Sequence, residues 1–307
     1  MNAKWIKKGF IFKPNGEREW QNNSFLTPQP FLLTPEIIRV YGSFRDSAGV
    51  GRIGYVDLNA ANPSEVLAVS ETPVLDVGLP GRFDDNGVIL GDVLRVEDKI
   101  YMYYVAFQHV AKVKFYAFSG LAIGTDASTF TKVKQTPVMD RSDEGVFGRC
   151  IHSVLFENNI FKVWYSTIYD WKVINGIPYP VYDIKYTESS DGIHFPEKGI
   201  TVIQCAENEY RIGRPKVNKH PDGYYEMRYT SDTVEKEYKA GYAISQDGIK
   251  WKRCDEQRAL YRSNEGFDSE MACYPVVLTT QYGKYMFYDG NGMGKTGFGY
   301  MEMLDKK

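Results

Sequence analysis

A short run of sheet-forming residues closed by a tyrosine recurs along this chain at an almost constant interval. It appears as Ile37-Ile-Arg-Val-Tyr41, Ile100-Tyr-Met-Tyr-Tyr104, Ile160-Phe-Lys-Val-Trp-Tyr165, Gly223-Tyr-Tyr-Glu-Met-Arg-Tyr229 and Lys284-Tyr-Met-Phe-Tyr288. The closing tyrosines are 63, 61, 64 and 59 residues apart. A fixed period of this kind limits the fold more than any single motif, because each copy must be one structural unit. A second series has the same spacing. Ser189-Ser-Asp-Gly-Ile-His-Phe195 and Ser245-Gln-Asp-Gly-Ile-Lys-Trp251 share S-x-D-G-x-x-aromatic, with Gly124-Thr-Asp-Ala-Ser-Thr-Phe130 a degraded relative and Gly54-Tyr-Val-Asp57 a loose one. Asp-Gly suits a tight hairpin turn. Acids form a third series, just before each first strand: Asp84 and Asp85, Asp143 and Glu144, Glu209, and Asp268.

Five units of about sixty residues fill the 307-residue chain, and none contains a long apolar stretch of helical period. Each has room for four short strands that cannot bury both faces alone. The expectation is all-β: a five-bladed β-propeller over residues 1–307 as a single domain. The segment from Trp5 to Phe12 would complete the last blade beside the C-terminal strand. An open β-sandwich is the alternative. Phe267–Tyr300 is the best-preserved unit, with a strand through Tyr274–Leu278, a turn at Tyr282-Gly283, and a loop at Asp289–Gly292 before Gly297–Tyr300.

Composition narrows the function. Aromatic residues make up 15% of the chain, which suits sheets and also stacking on sugar rings. A net charge of −2 argues against a nucleic-acid partner. No apolar run approaches the roughly 20 residues of a membrane span. The N-terminal residues lack the apolar core of a signal peptide. Cys150, Cys205, Cys254 and Cys273 form no CxxC pair, so they read as reduced thiols of a cytoplasmic protein. No His/Cys cluster has metal-ligand spacing, and no cofactor motif is found. Gly290-Asn-Gly-Met-Gly-Lys-Thr296 has the composition of a phosphate loop without its spacing, and reads as a loop between strands.

In a propeller the first strand of each blade lines the central channel. Three of these strands carry proline at a matching place, Gln29-Pro30, Arg214-Pro215 and Tyr274-Pro275, with Gly91-Asp92 and His152-Ser153 aligned in the other two. Proline fits a strand lacking a partner on one side. Polar residues cluster near this register, which is costly unless they pair or bind something. Asp85, Glu144 and Glu270 are candidate catalytic carboxylates. Asp84, Arg149, His152, Arg211, Arg214, Asp268, Tyr274 and Asn291 are candidate ligand contacts. The arginines carry planar forks suited to carboxylate or phosphate, and each has internal pairing as its alternative role.

The five units, the S-x-D-G turns and the aromatic second strands resemble the five-bladed propellers of glycoside hydrolase families 43, 32 and 130. That resemblance implies a carbohydrate ligand, and carboxylates from different blades facing each other across a scissile bond. The catalytic pattern departs from those families. Gln29, His152 and Gly213 stand where family 43 would place acids, and Asn22-Asn23-Ser24-Phe25 lacks the Asp-Pro of family 32. Three functions follow as expectations. The first is a glycoside hydrolase-like enzyme acting on a glycan or anionic sugar in the central channel, with Asp85 and Glu270 as its leading carboxylates. The second is a glycan or sugar-nucleotide binding protein without hydrolysis. The third is a transferase or phosphorylase of polysaccharide metabolism.

Overall fold

The computed structural model describes residues 4–304. It divides into two compact units: the chain up to Asp76 together with the chain from Ala259 on, and Val77–Arg258. The first unit opens with β1 (Lys4–Phe12), then β2 (Asn23–Thr34), β3 (Ile37–Arg45), β4 (Gly51–Asn59) and β5 (Asn62–Val69). The second holds β6 (Val88–Val96), β7 (Lys99–Gln108), β8 (Tyr116–Gly124), β9 (Thr131–Lys132), β10 (Gly148–Glu157), β11 (Ile160–Ile174), β12 (Ile177–Ser189), β13 (Ile200–Ile203), β14 (Glu209–Lys219), β15 (Tyr225–Thr233), β16 (Lys239–Ser245) and β17 (Trp251–Arg253). The chain then returns to the first unit as β18 (Cys273–Thr279), β19 (Lys284–Asp289) and β20 (Phe298–Leu304).

Pairing follows the repeat. The first unit contains the antiparallel sheets β2-β3-β4-β5 and β1-β20-β19-β18. In the latter, β1 runs against the C-terminal strand from Lys4 opposite Leu304 to Phe12 opposite Phe298. The second unit contains the meanders β6–β9, β10–β13 and β14–β17. They join into one sheet through parallel contacts of Ala117 with Gly148 and Tyr182 with Arg211. Helix among the described residues is confined to two single 3-10 turns and Asn291–Gly294.

The tyrosine series has a packing reason. All five closing tyrosines are fully buried. Tyr104, Tyr229 and Tyr288 each stand directly opposite a glycine of the neighbouring strand: Gly120, Gly241 and Gly299. A Cβ at Gly120 or Gly241 would lie 2.1 or 2.0 Å from the facing ring, so only glycine leaves the ring room to lie there. The Asp-Gly series has a second reason. Asp191 and Asp247 each accept backbone N–H bonds from the two residues after their glycine. Gly192 and Gly248 take left-handed φ of 72° and 77°. The Gly192 carbonyl accepts the Tyr103 hydroxyl at 2.8 Å, and the Gly248 carbonyl accepts the Trp164 indole at 2.9 Å. Each turn is thus stapled to the second strand of the preceding repeat. Asp126 keeps the same N–H contacts, with Ala127 in the left-handed position at φ 63°.

Apolar residues fill the space between successive sheets. In the second unit, Tyr103, Leu121, Ile151, Val163 and Tyr165 form one cluster, and Trp164, Ile184, Ile212, Met227 and Tyr229 the next. In the first unit Phe25, Val40, Phe44, Phe287 and Phe298 pack together, with Phe25 stacked on Phe298 at 4.7 Å. Burial of such rings is the main favourable term holding each pair of sheets.

Candidate functional site

Every first strand of a repeat breaks register, at the expected Gly91, His152, Arg214-Pro215 and Tyr274-Pro275, but in β2 at Thr27-Pro28 rather than at Gln29-Pro30, which stay paired with Tyr41 and Val40. The shifts fall between Leu26 and Gln29, Leu90 and Asp92, Ile151 and Ser153, Gly213 and Lys216, and Cys273 and Val276. A bulge releases residues from the ladder and re-aims their side chains. Thr27, Arg214 and Tyr274 also adopt left-handed φ, at 57°, 54° and 54°. Non-glycine residues in that region carry strain of order 1–3 kcal/mol, which concentrates at functional sites. Tyr274 and His152 are buried, while Arg214 is partly exposed.

In the second unit the bulges of β6, β10 and β14 meet and are laced by side chains. Asp92 accepts the Val93 and Val154 amides at 3.0 and 2.6 Å and the Lys216 ammonium at 3.2 Å. Lys216 also donates to the Gly91 carbonyl at 2.6 Å, and Arg214 to the Leu90 carbonyl at 2.8 Å. Ser153 accepts the Val217 amide. A Cβ at Gly91 would lie 2.4 Å from the Ile151 carbonyl, so the strands approach closely only because that residue is glycine. Burial raises the Asp92 pKa and lowers that of Lys216, each against the pull of its partner.

His152 sits in this group without a partner for Nδ1, which is buried. Burial first, then the Arg214 and Lys216 cations, push its pKa well below the ordinary 6.5, so the imidazole is neutral at pH 7. A neutral imidazole can donate through one nitrogen and accept through the other. Cys150 is different: burial lifts its thiol to about 12, which removes it as a nucleophile near neutrality.

The acids of the third sequence series have other partners. Asp84 is buried, accepts Lys132 at 2.6 Å and Tyr104 at 3.4 Å, and sits below the Lys132 ammonium, which lies 5.8 Å from the Tyr104 ring. Asp268 repeats this in the first unit with Lys7 at 2.5 Å and Tyr288 at 3.0 Å. Glu144 accepts the Tyr165 hydroxyl at 2.6 Å and the Gly199 amide at 3.0 Å. Arg149 Nε lies 3.0 Å from Glu144, though off line for a hydrogen bond, and Arg149 donates to the Pro196 carbonyl at 2.7 Å. Glu209 takes both Arg253 nitrogens at 2.8 Å. Acid, cation and, in three of these four, the closing tyrosine form a latch at the entrance of the first strand.

The remaining candidates divide. Asp85 Oδ2 accepts the Gly81 amide within its own loop at 2.7 Å. Asn291 clamps the loop before β18, accepting the Glu270 and Met271 amides at 2.7 and 2.9 Å. Glu270 itself is exposed, and among the described residues its carboxylate has no hydrogen bond or ion pair. Arg211 is buried against Asp232. The structure therefore brings His152 and Arg214 together and sends Arg149 and Arg211 to separate partners. Lys216 and Asp232 escaped sequence reasoning. Both are charged residues on strands that carry other charges, and their burial is visible only once the strand faces are known.

The fold has clear counterparts among solved structures. One described as a glycoside hydrolase superposes with a TM-score of 0.72 over 98% of this chain and 91% of its own, at 16% identity. A thermostable family-43 glycoside hydrolase gives 0.69 over 92% and 88%, at 17% identity. A structure from work on the family-130 mannoside phosphorylases and the glycoside hydrolases among them gives 0.65 over 99% and 90%, at 13% identity. The chain thus has the all-β fold of glycoside hydrolase-like propeller proteins and resembles families 43 and 130. In sequence it is 29% identical over 297 residues to the uncharacterised protein Rv1502 of Mycobacterium tuberculosis, covering 96% of this chain and 97% of that one. The uncharacterised protein MT1551 from a second strain of that organism matches to the same extent. No family model matches.

Proposed function

We propose that this protein is a carbohydrate-active enzyme of the glycoside hydrolase type. Its five four-stranded repeats would be the blades of one propeller, and its glycan would lie on the bulged first strands. The observation that carries this is the shared break in register of all five first strands, three of them with a residue in left-handed backbone. His152 supplies hydrogen bonds to sugar hydroxyls, and Arg214 adds a planar cation for a polar or acidic substituent. Glu270 is the exposed acid available for general acid–base work, and Asp85 is a second candidate carboxylate. The four free cysteines suit a reducing, cytoplasmic setting.

The test is a panel of glycans and sugar nucleotides, scored first for binding and then for turnover with and without phosphate. Glu270→Gln should bind the same ligand and lose turnover, and His152→Ala should weaken binding. Turnover that requires phosphate would identify a phosphorylase. A wild-type protein that binds a glycan and turns over none of its hits would overturn the enzyme. It would leave a glycan-binding protein, which the latched state of Asp84, Glu144 and Asp268 favours.

A further inference from the structure

The hairpin joining the second and third strands of the middle repeat is much longer than its counterparts. β11 and β12 have 15 and 13 residues, where β7 and β15 have 10 and 9. The ladder runs on to Ile174 opposite Ile177, closed by Asn175-Gly176 with φ of 51° and 79°. This arm carries Tyr179 to the side of the next repeat, 5.8 Å from the Tyr210 ring. There the Lys236 ammonium lies 3.8 Å from the Tyr179 ring centre, at the exposed end of the β15–β16 hairpin, on a backbone with φ of 67°.

The polar groups beneath are unevenly matched. Asp232 is fully buried, and its Oδ2 is approached by Arg211 Nε and Nη2 at 3.1 and 2.6 Å, by Lys236 at 2.6 Å and by the Tyr210 hydroxyl. Its Oδ1 has no partner at all. One carboxylate oxygen offers about two lone pairs, so four donors exceed what it can accept well. Two cations against one carboxylate also leave the cluster with a net positive charge. Arg211 is enclosed, within 5.5 Å of the Tyr179, Tyr210 and Tyr238 rings. Lys236 is the member that reaches water, its side chain 32% exposed. Burial and the nearby Arg211 lower the Lys236 pKa, against the pull of Asp232, as expected for a cation with too little negative charge beside it.

We propose that Lys236, backed by Arg211 and walled by Tyr179, is a subsite for the oxyanion of an acidic sugar, a carboxylate or a phosphate group. It rests on the carbohydrate assignment above and adds to it the charge of the substrate. The incoming anion takes the third ammonium proton of Lys236, whose other two go to Asp232 and the Tyr210 hydroxyl, and the sugar ring lies along the arm. The arm is long because it must deliver Tyr179 to this place.

Binding is measured by titration calorimetry with three versions of one oligosaccharide: neutral, ending in a uronic acid, and carrying a sugar phosphate. Wild type should bind one of the acidic forms about tenfold more tightly than the neutral form, as a charge-assisted hydrogen bond supplies. That preference should shrink at high salt. Lys236→Ala should reduce it to near parity, and Tyr179→Ala, which removes the wall along which the sugar ring lies, should weaken the neutral and acidic forms alike. A tighter uronate or a tighter phosphate form decides between the two sources of the anion. Neutral binding without any preference, or a preference retained in Lys236→Ala, overturns the subsite and leaves the carbohydrate assignment standing. Binding of none of the three removes both.

Discussion

The acids that precede the first strands and the bulges inside those strands lie a few residues apart and meet opposite fates. The acids recur with the period of the repeat, and Asp84 and Asp268 make the same contacts in different units: a lysine at 2.6 and 2.5 Å and the closing tyrosine. Recurrence there reflects a latch shared by four of the five repeats. Every first strand has a bulge, but the first residue skipped there differs: Thr27, Gly91, His152, Arg214 or Tyr274. Repeated chemistry at equivalent positions marks scaffold, and varied chemistry at a shared bulge is what the proposed ligand contact rests on.

The largest effect should come from the bulges of the second unit. Asp92→Ala leaves Lys216 buried without its carboxylate and removes the acceptor of the Val154 amide, at an expected loss of about 3–5 kcal/mol in urea unfolding. A double replacement of Asp92 and Lys216 by apolar residues should recover much of it, and an equal loss in both variants would refute the pairing.

His152 should give a pH signature of its own. Its native pKa is depressed, so below pH 6.5 the unfolded chain binds a proton that the native state does not. Its contribution is full above that pH and falls by about 1.4 kcal/mol per unit as the pH drops below it. His152→Gln should flatten this part of the stability profile between pH 6.5 and 5, and an unchanged slope would mean the imidazole is solvated.

The latches should respond more weakly and in order of their hydrogen bonds. Tyr165→Phe, whose hydroxyl lies 2.6 Å from Glu144, should cost about 1 kcal/mol. Tyr104→Phe, at 3.4 Å from Asp84, should cost less, and a reversed order in thermal unfolding would break the latch picture. Glu270→Gln should be smallest, within about 0.5 kcal/mol, because the side chain is exposed. A larger destabilisation would place Glu270 among the latches and end its candidacy for chemistry.

Much of the architecture was legible from spacing. The tyrosine series marked second strands, and the Asp-Gly series marked turns closed by local hydrogen bonds. The proline register marked the bulges of four first strands, Gly91 and His152 among them without proline, and missed that of β2 by two residues, where Thr27-Pro28 takes the place of Gln29-Pro30. The candidate site was legible only in part. The arginines were grouped by their strand positions, yet Arg149 and Arg211 lie at the strand starts beside carboxylates, whereas Arg214 lies at the bulge. Asn291 looked like a sugar contact because it sits in a polar loop, and its side chain instead holds that loop together.

The sequence alone determined the all-β class, the repeat, the turns and four of the five positions where first strands lose register, because these depend on residues near one another in the chain. The tertiary structure decided which charges are neutralised. Lys7 meets Asp268 across 261 residues, and Arg214 meets the Leu90 carbonyl across 124. A carboxylate's role depends on whether such a distant donor reaches it, and that is set by packing between strands rather than by the residues beside it.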